Sequence, residues 1–417
     1  MTVSSQRTVD VLRSHRPTVS LLGLTNFCKG LAIAWIFAFH YQYSTGLSWF
    51  SWAGWQGVHI FIVLSGFGVT YACLRKSREM DWRMWLSKRF KRILPTYWVA
   101  TLLGCAVMIL IQFFTSHNSL IGIREALWQT FLDITLLRDF SHQTITPLQN
   151  VSLWFVPFIL GFYLLFPWLY PQAAKIRTLK GGLIFLGLLL LVECAYRFAA
   201  VQWFNAAPIA YGALNLSGTQ VSFNPSLWPF QLQAPFSIPL SRLAEFGLGM
   251  LLAVAIVRDA ERTHQLILNP LAAVFGLVVW GLGIALVYAG PAGWVISDFV
   301  IAVGLNLWLV NLARAVQTLS SRSFSMVSKL GIWSYSIFLC HAIFIHLFHQ
   351  ALEPIWVEQL TASGSPLVAW IPLAILGGSV GMTGLVSVIL LKLERIGDSL
   401  PRSSTPQRME GETRSSN

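Results

Sequence analysis

Lys29 and His40 bracket the apolar stretch KGLAIAWIFAFH, with an ammonium at one end, an imidazole at the other and ten residues between. Eleven steps along an α-helix make three turns plus about 20°, so the two groups share a face about 16 Å apart. Their chemistries differ. Imidazole titrates near neutral pH, and as a general base it can take the proton from a hydroxyl that attacks an acyl carbon. The lysine suits an anionic ligand, or a carboxylate that needs holding in place. Taken singly, each residue has a plainer account: a lysine snorkelling to headgroups and a histidine at the opposite interface. Placing a lysine at the centre of a bilayer costs about 2.5–3.5 kcal/mol on insertion scales, less near the interface. Two such groups in phase on one helix point to a polar channel through a bundle.

A second constellation lies in WLSKRFKRILPTYW, where Lys88, Arg89, Lys91 and Arg92 directly precede an apolar stretch. Arg89 and Arg92 are three apart and share a face if the segment is helical. Guanidinium groups grip phosphate through paired N–H bonds, so a phosphorylated ligand fits this cluster. A simple positive-inside anchor accounts for it equally.

Other ionisable groups fall inside apolar stretches. Glu193 with Arg197 and Arg242 with Glu245 stand at i,i+4 and i,i+3, so mutual neutralisation within each pair is the simplest account. Asp298 has no partner nearby in sequence, and His341 sits beside Cys340. His59, in GWQGVHIFIVLSGFG, would approach His40 if the first two spans pack together. His59, Ser65, Tyr163 and His341 are the candidates to line a cavity or touch substrate. The five cysteines have neither metal-site nor disulfide spacing and read as small packing residues, so no metal is expected.

The elements that must position these groups are membrane helices. Of 417 residues, 55% are hydrophobic and 11% charged, against about a quarter charged in an ordinary soluble domain. Ten apolar windows are each about a bilayer long: 21–41, 55–74, 94–114, 150–170, 181–201, 238–257, 268–289, 294–312, 330–350 and 366–393. Segment 119–137, less apolar, reads as an interfacial helix between the third and fourth spans. The expected fold is an all-α polytopic bundle of about ten transmembrane helices.

Charge placement orients the chain. The loop RKSREMDWRMWLSKRFKR holds eight Lys/Arg against two acids, and later loops on the same side carry Lys175, Arg177, Lys180, Arg258, Arg262, Arg314, Arg322 and Lys329. The 42–54 loop and the 203–237 segment carry no charge. The positive-inside rule then makes both termini cytoplasmic, as an even number of spans requires. The net charge of +12 is thus an orientation signal and an attraction for anionic ligands or lipid headgroups, not a sign of nucleic acid. Residues 1–20 read as a cytoplasmic tail before an uncleaved first span, 21–393 as the membrane domain and 394–417 as a disordered cytoplasmic tail. The 203–237 segment, rich in Trp, Phe, Asn and Ser, suits sugar rings or a membrane-interface belt.

At these residues the sequence resembles the membrane acyltransferase-3 family, which includes enzymes that O-acetylate bacterial surface glycans. KGLAIAWIFAFH resembles its first-helix pattern of Arg or Lys, ten residues, then His; GVHIFIVLSGF resembles its second helix. KRFKRILPTYW carries its Arg-x-x-Arg motif, and SRLAEFGLGMLLA and LGIWSYSIFLCH look like later helices, in the expected order over about residues 25–350. The resemblance implies His40 as catalytic histidine, Lys29 where arginine is usual, and Arg89 and Arg92 on the cytoplasmic acyl-CoA side with Lys88 and Lys91 beside them. The donor it implies is acyl-CoA, acetyl-CoA foremost, and the acceptor an extracytoplasmic glycan or lipid-linked sugar, in the cytoplasmic membrane of a bacterium. The chain departs from the family pattern at His59, where aspartate is frequent, and at Pro157 and Ile159, where a Ser-x-Glu-x-x-Phe-Tyr pattern has Ser and Glu; Phe162 and Tyr163 remain. The hydrolase-like domain fused to some relatives is not expected. The competing expectation is a transporter that uses the same charges as a relay without acyl chemistry; no internal repeat supports it.

Overall fold

The structure, a computed structural model, describes residues 21–45, 53–76, 80–115, 119–138, 151–203, 206 and 234–399. Most of the uncharged 203–237 segment and both distal tails lie outside the described residues. The described residues contain no strand, and ten of their helices are long and apolar enough to cross a bilayer. In chain order these are α1 (Leu21–Thr45), α2 (Gly57–Leu74), α3 (Trp82–Thr115), α5 (Phe155–Lys175), α6 (Leu179–Trp203), α7 (Leu243–Arg258), α8 (Pro270–Tyr288), α9 (Ser297–Leu319), α10 (Ser321–His346) and α11 (Ile371–Ser399). Between α3 and α5 stands α4 (Ser119–Ile134). The ten spans expected from the apolar windows are all present.

Three departures refine that expectation. First, α3 begins at Trp82, so the basic segment and the third span form one continuous 34-residue helix, about 51 Å long. Second, α4 does not lie flat across the bundle end. It folds back antiparallel along α3: the Tyr97 hydroxyl donates to the Asp133 carbonyl at 2.8 Å, Trp98 Nε1 donates to the Ile134 carbonyl at 3.2 Å, and Gly122 packs on Gln112. Its Ala126, Gln129 and Thr130 face inward, while Leu127, Trp128 and Phe131 face out. Third, α11 runs to Ser399, so residues 394–399 are helical rather than the start of a tail.

Helix association in a membrane cannot rely on expelling water from apolar faces, so close backbone approach supplies much of the attraction. Here α1 packs on α10, α2 on α7 and α8 on α9. Each pair crosses at reciprocal glycines. A Cβ at Gly30 would strike the Val327 carbonyl, and one at Gly331 the Asn26 carbonyl. Gly66 and Gly249 lie likewise against the carbonyls of Phe246 and Val63, and Gly276 and Gly304 against each other's helices. Helices α1 and α10 run parallel: Phe27 stacks on Phe324 with ring centroids 5.2 Å apart, Gly30 meets Gly331, and His40 meets His341 further along. Beyond His346 the α10 helix widens into a π-helical turn, Leu347–Leu352, before continuing as Glu353–Ala362.

Gly30→Leu should therefore wedge α1 from α10 and lower the apparent melting temperature in detergent, overpacking of this kind costing about 1–3 kcal/mol or more. Gly23→Leu on the same helix, where a Cβ meets nothing within 4 Å, should melt close to wild type.

Candidate functional site

The side chains singled out by type and spacing gather at two levels of the bundle, with a third cluster beside them. The α1–α10 crossing creates the first. Ten residues beyond Gly30 stands His40, and ten beyond Gly331 stands His341. Because the two helices are parallel and touch at those glycines, the equal spacing delivers both rings to the same height. His40 Nδ1 lies 2.7 Å from His341 Nε2, with ring centroids 4.9 Å apart. His341 is fully buried and His40 partly so.

The hydrogen bonds fix where the protons sit. His341 Nδ1 is 3.0 Å from the carbonyl oxygens of both Ile337 and Phe338. Carbonyls only accept, so Nδ1 carries the proton, and in the neutral ring Nε2 holds the lone pair. His40 Nδ1 must then donate to it. By the same rule His40 Nε2 is the lone-pair nitrogen of its ring, which is the atom a general base needs. The hydroxyl of buried Ser152, at the entry to α5, lies 3.3 Å from the same His341 nitrogen. One imidazole nitrogen offers one lone pair, so the 2.7 Å contact takes it and Ser152 is the weaker neighbour.

The second level lies where the basic segment enters the bundle. Lys29 of α1 and Arg92 of α3 are within electrostatic range of each other, and Tyr163 of α5 is within range of both Arg89 and Arg92. The Arg89 guanidinium lies over the rings of Trp85 and Tyr163, 5.3 and 5.8 Å from their centroids, a cation–π placement that aims it at α5. Arg92 Nε and Nη2 each lie 2.8 Å from Glu394 Oε1 on α11. Tyr335 of α10 donates to the Ile93 carbonyl at 2.9 Å and borders the same group. Lys29, Arg89, Arg92 and Tyr163 are thus brought together; Lys88 and Lys91 are exposed, and so is Arg92 itself. The helix that carries Lys29 carries His40 about 16 Å further along, so α1 links the two levels.

His59 does not join His40. Its Nδ1 faces Glu245 Oε2 at 3.0 Å and Arg242 Nη1 at 2.9 Å, and its Nε2 is 3.8 Å from Asp298 Oδ1. It belongs to a buried ionic network with Asp298 at the centre: Arg197 Nη1 reaches Asp298 Oδ2 at 2.7 Å and Arg242 Nη2 reaches it at 3.1 Å. Asp298, isolated in sequence, is the shared partner. Of the two expected local pairs, Arg242–Glu245 forms at 3.5 Å. Glu193 instead accepts the Ala244 N–H at 2.8 Å in the first turn of α7. Arg197 turns to Asp298 and to the Trp294 and Ser241 carbonyls because those buried acceptors need a donor. Ser65 stands six residues from His59, about 240° round α2, and is half-buried away from this network. Pro157 and Ile159 lie in the first turns of α5, with Ile159 buried among apolar side chains.

Two contacts escaped sequence reasoning: the pairing of His341, already a cavity candidate, with His40, and that of Glu394 with Arg92. KGLAIAWIFAFH and LGIWSYSIFLCH share the spacing Gly, nine residues, His, which pairs His40 with His341 once the helices are known to cross at those glycines. Glu394 lay in a stretch whose polar composition reads as tail.

Among the described residues, no group of three or more His, Cys, Asp or Glu is placed to hold a metal ion. With this geometry in place, comparison with family models identifies the class. The acyltransferase domain of the acyltransferase-3 family matches residues 25–391, and the chain belongs to that family. It is a multi-pass membrane acyltransferase. Comparison with curated proteins and with solved structures gives no match.

Removing one member of a buried ion network leaves its partners uncompensated, at a cost of about 3–5 kcal/mol. Asp298→Asn should therefore destabilise the protein strongly in a detergent melt. Asp259→Asn, which keeps an Oδ1 acceptor for the Arg262 N–H at the cap of a short helix, should not.

Proposed function

We propose that the protein moves an acyl group, acetyl foremost, from cytoplasmic acyl-CoA to a hydroxyl of an extracytoplasmic glycan or lipid-linked sugar. The observation that carries this reading is the His40–His341 pair, whose proton positions leave His40 Nε2 as a base at one level of the bundle while a cation cluster on the same helix axis occupies the other. The positive-inside distribution supports a cation cluster facing the cytoplasm and a histidine pair toward the outer face.

In this reading the phosphates of the donor rest on Arg89, Arg92 and Lys29, and the narrow pantetheine arm carries the thioester along α1 toward His40. The acceptor hydroxyl oxygen attacks the thioester carbon as His40 Nε2 takes its proton. The positive charge that develops on His40 is shared through Nδ1–H with His341, whose own Nδ1–H is held on two carbonyls. His341 is thus a positioning residue that sets the tautomer of His40. When the tetrahedral intermediate collapses, the carbon–sulfur bond breaks, the His40 proton passes to sulfur, and the free thiol departs with an ester left on the acceptor.

The test is transfer of radiolabel from acetyl-CoA to extracted envelope glycan by the purified protein. His40→Ala should abolish labelling at normal expression, with a loss of about 10²–10⁴-fold at the least; near-normal labelling by this variant would defeat the assignment. His341→Gln should lower the rate and displace its pH profile, because the ring of His40 is no longer held in one tautomer; a merely structural role would lower the rate without moving the profile. Arg89→Glu combined with Arg92→Glu should weaken CoA binding. Unchanged affinity would return that cluster to a topological role.

A further inference from the structure

We propose that Glu394 is an internal anion that occupies the phosphate-binding edge of Arg92 while the donor site is empty and yields that edge when donor binds. The proposal rests on the donor-site reading above and deepens it. Arg92 presents Nε and Nη2 to Glu394 Oε1, both at 2.8 Å. This is the side-on fork through which a guanidinium takes a carboxylate or a phosphate, so the two anions compete for the same donors.

The surroundings argue against a purely structural pair. On the helices that pack together, Lys29 of α1 and Arg89 and Arg92 of α3 lie within electrostatic range of one another or of a shared tyrosine, and Glu394 of α11 pairs with Arg92. Cations outnumber the carboxylate in this group, and the excess favours a second anion. Tyr163 and Tyr335 border the cluster. The two ends of the pair also differ in exposure: the Glu394 side chain is 9% exposed and Arg92 is 47% exposed. A pair with one half-exposed member is weakly held and open to exchange. A phosphate, with more charge and more acceptor oxygens than a carboxylate, can displace it. Glu394 then stays in the bundle wall, ready to re-form the pair when the spent carrier leaves. An enzyme that must release free CoA each cycle gains from such a competitor, since affinity for the shared phosphates holds product as firmly as substrate.

The experiment measures equilibrium binding of CoA to the full-length protein in detergent. Glu394→Gln keeps the side-chain size and removes the charge. It should tighten CoA binding by about five- to tenfold, the effect of removing one unit charge about 4 Å from a bound phosphate in a wet site. Glu394→Ala should shift binding in the same direction, and CoA should dissociate more slowly from both variants. In an Arg92→Ala background the Glu394→Gln effect should largely vanish, since the two act through one contact. Unchanged or weaker CoA binding by both Glu394 variants, each monodisperse and with a wild-type melting temperature, overturns the proposal; weaker binding would mean the carboxylate holds Arg92 in place for the donor. The donor reading fails separately: wild-type protein that binds no CoA removes it and this proposal together, whereas wild-type binding without tightening in the Glu394 variants removes this proposal alone.

Discussion

The parallel contact of α1 and α10 at Gly30 and Gly331 is the constraint on which the rest of the structure depends. Without side chains at those two positions, the helix backbones touch and their relative height is set by carbonyl against Cα. The spacing from glycine to histidine is ten residues on both helices, so a single fixed point carries through about 15 Å of helix to a hydrogen bond between two rings. A slip of one residue along either axis would move one ring by about 1.5 Å, enough to lose a 2.7 Å contact. Packing and proton placement are in this sense one event: the helix crossing decides which nitrogen of His40 carries hydrogen.

The same helix separates two chemistries. A bilayer core makes an isolated charge costly and an isolated imidazole unremarkable. The cations accordingly stand at the end where α3 extends out of the apolar region, stacked on Trp85 and Tyr163 or paired with Glu394. The histidines stand further along, surrounded by Phe37, Phe39 and Phe338. A cation cluster at one end and a histidine pair further along, joined by one helix, form the arrangement that the proposed acyl transfer calls for.

The network around Asp298 does different work. It joins α2, α6, α7 and α9 through groups that are almost wholly buried. Ionic ties of this kind add little over a well-packed apolar core, but they penalise every misaligned arrangement heavily, because each leaves a charge uncompensated. The network therefore serves as a device for uniqueness, holding the helices that flank the α1–α10 axis. His59, on the second helix, is committed to this network and not to the histidine pair.

Length and hydropathy determined by themselves that the chain forms ten apolar helices, since a bilayer leaves the backbone no other way to satisfy its hydrogen bonds. The phase of Lys29 and His40 on one helix, and of Arg89 and Arg92 on another, follows from 3.6 residues per turn and was equally legible. Which charges meet was not. Glu193 and Arg197 stand one turn apart and look like partners, yet the fold gives Arg197 to an aspartate 101 residues away. His40 looks toward His59 in sequence and finds His341 in space, and Glu394 reads as the start of a tail until α11 places it against Arg92. Local spacing predicts which side chains share a helix face, because the helix itself fixes that, but not which of them bond. Contacts between helices depend on which faces pack and at what height, and here that was decided by where glycines let two backbones touch.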